Sequence, residues 1–161
     1  MACCCLHNCD TGRLFSRFAR RYRKRYERKG FEPSQRQLLD GIRQAGIGSA
    51  RLLEIGCGVG ALHQRLLEEG AGSALGIDLS ERMLTEARDA ARAHGLAERT
   101  DYRQGDFVEF ADTVDPAEIT ILDKVICCYP DAEGLVRKSL ARTRRVYAYT
   151  IPRDRWFTRI G

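Results

Sequence analysis

The sequence predicts an α/β fold, a doubly wound and mostly parallel sheet of five strands preceded by N-terminal helices. Three observations carry that expectation. From Arg51 onward, short apolar runs alternate with segments of helical period, a rhythm that calls for parallel strands joined by right-handed crossovers. The first of those runs leads directly into a glycine-rich turn, Gly56-Cys57-Gly58-Val59-Gly60. An acid, Asp78, then closes the next apolar run, 22 residues after Gly56.

The elements follow in order. Residues 13–29 read as a helix because Phe15, Phe18, Tyr22 and Tyr26 recur at steps of three and four; Gly30 ends it and Pro33 breaks the chain. A second helix, about Ser34 to Ala45, puts Leu38, Leu39 and Ile42 on one face and stops at Gly46. Arg51–Ile55 is a strand, Ala61–Glu69 a helix ending before Gly70, and Ala74–Ile77 a second strand finished by Asp78. Ser80 caps a helix that runs to about His94, with Gly95 as its stop. Thr100–Arg103 is a weak third strand, Ile119–Leu122 a fourth, Leu135–Arg142 a helix and Val146–Ile151 a fifth strand. No internal repeat is present. The organisation is thus a Cys-rich head over 1–12, helices over 13–50 and an α/β domain over 51–161.

Composition narrows the classes of function. A chain of 161 residues, 43% hydrophobic and 30% charged, suits one globular domain and excludes disordered or fibrous behaviour. No apolar run approaches the ~20 residues that span a membrane, and the N-terminus lacks a signal peptide's apolar stretch, so a cytoplasmic protein is expected. In that reducing compartment the seven cysteines read as thiols or metal ligands. The net charge of +5 is local: residues 13–29 hold nine Lys or Arg against Glu27 alone, and the rest of the chain holds 18 basic and 21 acidic residues. The basic helix reads either as a solvated face whose aromatic stripe packs over the site, or as a surface for an anionic membrane or acidic substrate. Nucleic acid is not expected, because no base-stacking motif accompanies the charge.

The glycine turn and Asp78 together describe a nucleoside site, in which the backbone approaches the ligand closely and the acid accepts both ribose hydroxyls. Gly56 through Ala61 also satisfies the dinucleotide pattern G-x-G-x-x-A. Glu54 argues against a pyrophosphate there, since a carboxylate beside the turn favours an ammonium group. Gly105-Asp106-Phe107, after the third strand, offers an acceptor for an adenine amino group beside an aromatic wall.

At these residues the chain resembles the class I S-adenosylmethionine-dependent methyltransferases, over roughly residues 34–152. The resemblance implies a Rossmann-like methyltransferase sheet and S-adenosyl-L-methionine as cofactor. Glu54, Gly56, Cys57, Gly58 and Gly60 would line its amino-acid part, Asp78 would bind the ribose, and Leu79 would flank the adenine that Asp106 and Phe107 hold. It also implies that the residue after the fourth strand, Asp123, faces the transferred methyl as a general base or orienting group; the alternative is that it caps the next turn. Tyr129 is a phenolic donor over the site or a packing aromatic. Leu122-Asp123-Lys124-Val125-Ile126-Cys127-Cys128-Tyr129, with Tyr149-Thr150-Ile151-Pro152-Arg153, is similar to the magnesium-protoporphyrin O-methyltransferases, which esterify a propionate; a small-molecule acceptor is therefore implied. Members of this class have seven strands, so the chain is expected to be truncated. The Cys-rich head (Cys3, Cys4, Cys5, His7, Cys9) and the Cys127-Cys128 pair depart from that pattern and leave a second reading, a metal- or metalloid-binding module with a vestigial nucleotide site.

Overall fold

A computed structural model describes residues 18–151. Its sheet contains five parallel strands in the order β3-β2-β1-β4-β5: β1 (Arg51–Ile55), β2 (Ser73–Asp78), β3 (Thr100–Gln104), β4 (Ala117–Asp123) and β5 (Thr143–Thr150). The order reverses between β1 and β4, the switch point beyond which open α/β sheets bind ligands. Among the described residues six α-helices accompany it: α1 (Ala19–Lys29), α2 (Pro33–Ala45), α3 (Ala61–Glu68), α4 (Glu81–Ala93), α5 (Phe107–Phe110) and α6 (Ala132–Leu140).

β1 is buried on both faces, which is why it reads as a continuous apolar run. Leu52 packs with Leu38, Leu39 and Ile42 of α2 and Leu62 and Leu66 of α3. On the other face Leu53 and Ile55 meet Ile77, Phe107, Leu122 and Leu135. Ser80 caps α4, its hydroxyl accepting from the Met83 N–H at 3.3 Å. Among the described residues no helix is long and apolar enough to cross a membrane.

Three departures from expectation have a local reason. β5 begins at Thr143 rather than Val146: Thr143 already pairs with Ala117, and Arg144 and Arg145, which break the apolar pattern, lie at the register shift before Val146 pairs with Ile119. α6 begins at Ala132, where the Asp131 carboxylate accepts from the Gly134 N–H at 2.9 Å, three residues before its first buried leucine. The one-turn helix α5 is too short for any period to reveal; Asp106 caps it through the Val108 N–H at 3.0 Å.

The described part of the aromatic stripe is only partly covered. Ala19 is the one buried residue of α1, Tyr26 lies tilted against Phe31 with ring centroids 4.8 Å apart, and Phe18 and Tyr22 are 39% and 42% exposed. The helix lies against α4, with Arg23 and Arg20 both directed at Glu86. Phe15, the Cys-rich head and the segment from Pro152 onward lie outside the described residues.

Candidate functional site

β1 ends by turning sharply. The N–H groups of Gly56 and Cys57 both donate to the Ile77 carbonyl of β2, at 2.8 and 3.0 Å, and the Gly60 N–H closes the turn on the Cys57 carbonyl at 2.9 Å. Gly56 sits at φ +68°, and a β-carbon there would come within 2.5 Å of a Val125 methyl. Left-handed backbone costs a non-glycine residue ~1–2 kcal/mol before any clash is counted. Gly56→Ala is therefore expected to lower the melting temperature and to push Val125 off the turn; a variant with wild-type melting temperature would show that the turn relaxes freely.

Asp78 stands opposite that turn. Its carboxylate accepts from the Gly58 N–H at 2.8 Å and from the Ser80 N–H at 2.9 Å, so the acid and the glycine turn are fixed relative to one another. Burial pushes the Asp78 carboxyl above the usual range, against backbone N–H groups that favour its charged form. Gly105 donates to the Asp78 carbonyl at 3.0 Å, which ties the end of β3 to the same point. Leu79 lies on this loop, its carbonyl accepting from the Gln104 side chain at 3.3 Å. The buried Asp106 accepts from the Tyr129 hydroxyl at 2.9 and 2.8 Å while Phe107 enters the core. Two residues singled out for different roles thus form one pair, with Tyr129 holding the acid beside Phe107.

Glu54 is buried and engaged. One oxygen accepts from the His63 backbone N–H at 3.2 Å and contacts the His63 Nδ1 at 2.6 Å. His63 Nε2 is 2.9 Å from the Tyr102 hydroxyl, which also accepts from Gln64 at 3.0 Å. With the His63 proton on Nδ1, donated to Glu54, Nε2 faces the Tyr102 hydroxyl, which also donates to the Ala87 carbonyl at 3.4 Å. Burial raises the Glu54 carboxyl above its ordinary range, His63 opposing that shift. Cys57 is also buried, and burial drives its thiol well up, so it lines the turn as a small apolar group. Gly60, at φ +78°, heads α3 and lies against the His63 and Gln64 side chains.

At the end of β4, Asp123 accepts from Thr150 Oγ1 at 2.5 Å and from Gln35 Nε2 at 2.7 Å. Gln35 also accepts from the Glu32 N–H at 3.0 Å as part of the capping box of α2. Lys124, at φ +58°, donates its backbone N–H to Thr150 Oγ1 at 2.9 Å, and its ammonium pairs with Glu32. His63, Tyr102, Gln35 and Thr150 do not stand out in the sequence as site residues. A signal for His63 is nonetheless present: alternation places Glu54 on the Leu52 face, under α3, and a buried carboxylate needs a donor.

The chain matches a known family, described as "Methyltransferase domain", over residues 52–148. The chain belongs to that family. Its fold agrees: it is similar to magnesium protoporphyrin IX methyltransferase from Synechocystis PCC 6803 with bound SAH, at TM-score 0.68 and 17% identity, over 91% of this chain and 74% of that one. A methyltransferase from Thiobacillus denitrificans in complex with S-adenosyl-L-homocysteine is similar at TM-score 0.58 and 20% identity, over 71% and 45%. In sequence, ribosomal protein L11 methyltransferase of Serratia proteamaculans (strain 568) is 38% identical over 63 residues, 39% of this chain and 20% of that protein. The chain spans about a fifth to a quarter of the length of such curated relatives. By family it is a methyltransferase domain, and it has the fold of those solved methyltransferases.

Proposed function

We propose that this methyltransferase domain binds S-adenosylmethionine across the ends of β1, β2 and β3 and transfers its methyl group to a small-molecule acceptor, a carboxylate such as a porphyrin propionate. The observation that carries this reading is the Asp78 carboxylate fixed 2.8 Å from the Gly58 N–H. A carboxylate has about four lone-pair positions, so backbone bonds to Gly58 and Ser80 leave acceptor capacity for two ribose hydroxyls. The residues fit the cofactor elsewhere too: a turn in which nothing lies within 4 Å of where a Gly58 β-carbon would stand, and a buried acid, Asp106, beside an aromatic. When bound, the cofactor supplies a sulfonium whose methyl is already electrophilic. Gly56, Gly58 and Gly60 would hold its amino-acid end, Asp78 the ribose, and Asp106, steadied by Tyr129, the adenine. Glu54 acts through α3: its bonds to His63 fix the helix that follows the turn.

Calorimetry with S-adenosylhomocysteine tests the reading; tight binding of it and none of NAD is expected, and the reverse would overturn it. The acceptor must reach about 3–3.5 Å from the methyl in a site that excludes water. Asp123, with both oxygens already bonded to donors, suits positioning, and a carboxylate acceptor requires no base. Asp123→Asn should therefore raise KM with little change in kcat. A kcat loss of ~10²–10⁴ with altered acid limb of the pH profile would identify Asp123 as a general base and point to a phenol or alcohol acceptor.

A further inference from the structure

The loop from Asp123 to Tyr129 spans the site, Val125 lying against the Gly56 turn and Tyr129 bonding Asp106 at its other end. Between those anchors a 3₁₀ turn, Ile126–Cys128, presents two adjacent cysteines. Both are half-buried, their sulfurs stand 3.5 Å apart, and the Cys127 Sγ also contacts the Lys124 carbonyl at 3.4 Å. Backbone bonds fix this shape: the Cys128 N–H donates to the Val125 carbonyl at 3.0 Å, and Lys124 is clamped to Thr150. Side chains of neighbouring residues in an extended strand point to opposite faces, whereas this turn brings both sulfurs together.

A sulfur pair at that spacing can close on one soft, thiophilic atom without rearranging the backbone. Soft thiolate ligands select soft centres over the hard cations that carboxylates hold. Among the described residues no group of three or more His, Cys, Asp or Glu is arranged to hold a metal ion, so a centre satisfied by two protein sulfurs fits best. We propose that Cys127 and Cys128 form a dithiol site, at the rim of the cofactor crevice, for a trivalent metalloid of the arsenic(III) class. Binding is a condensation. Two As–S bonds form, two As–O bonds break, and each thiol proton leaves on a released hydroxyl as water. Nothing is oxidised or reduced. The site stands on the loop geometry and does not require the methyl-transfer reading.

Phenylarsine oxide is the probe, titrated into the full chain under reducing conditions and followed by intact mass. The head cysteines are first replaced, as Cys3, Cys4, Cys5 and Cys9→Ser, so that uptake reports only the remaining thiols. One equivalent is expected to bind to that variant, to resist a monothiol and to leave with a dithiol competitor. Adding Cys127→Ser or Cys128→Ser should weaken binding by about 10²-fold or more, because the second As–S bond forms at high effective concentration. Circular dichroism confirms that each variant is folded. Uptake that is absent from the head variant, or unchanged by Cys127→Ser and Cys128→Ser, would overturn the proposal.

Discussion

Asp78→Ala is expected to lower the affinity for S-adenosylhomocysteine by ~10²–10⁴-fold, since two charge-assisted hydrogen bonds at ~1.5–3 kcal/mol each are lost. The Gly58 N–H loses its partner at the same time, so the turn loosens as well. Asp78→Asn keeps an acceptor oxygen and should lose less. The sign of the pH dependence follows from burial, which raises the Asp78 carboxyl above its ordinary range. The proposed ribose contact calls for the ionised form, in which both oxygens accept. Affinity should therefore be flat above that raised pKa and fall as pH drops through it, reaching tenfold per unit below it. Titration calorimetry between pH 4 and 8 checks this, and Asp78→Asn should flatten the profile. Equal affinity in Asp78→Ala would place the ribose elsewhere.

His63→Ala should be the most destabilising single change in the fold. It strands the Glu54 carboxylate in the core, and breaking a buried pair from one side costs ~3–5 kcal/mol. For a domain of this size that is a fall of roughly 6–20 °C in melting temperature. Because burial already raises the Glu54 carboxyl, the stability it contributes is present at low pH and lost as pH rises through its folded value. Removing His63 removes the partner that opposes that rise. The loss should consequently be larger at pH 7 than at pH 4, and Glu54→Gln added to His63→Ala should recover part of it. A pH-independent loss would show that the cavity, and not the stranded charge, sets the cost.

The parts of the site that lie close together along the chain are legible in the amino-acid sequence. Gly56 to Gly60, Asp78 and Gly105-Asp106-Phe107 each sit at a strand end, where period and punctuation alone locate them. Parallel order follows from the same rhythm. What stays hidden depends on contacts across long stretches of chain. Gln35 reaches Asp123 over 88 residues, and Thr150 reaches it over 27. No pattern in either segment announces the other. The role of Tyr129 is obscured similarly, for a lone tyrosine gives no hint that its hydroxyl ends on Asp106. In β5, the first three residues carry two arginines whose charge masks a strand defined by its backbone bonds.

Gln35 does two jobs with one amide group. Its oxygen completes the start of α2, and its nitrogen holds the carboxylate at the end of β4. The start of α2 and the setting of Asp123 therefore cannot be tuned separately at this position. Any lineage that changes the surroundings of Asp123 must also find another way to begin α2.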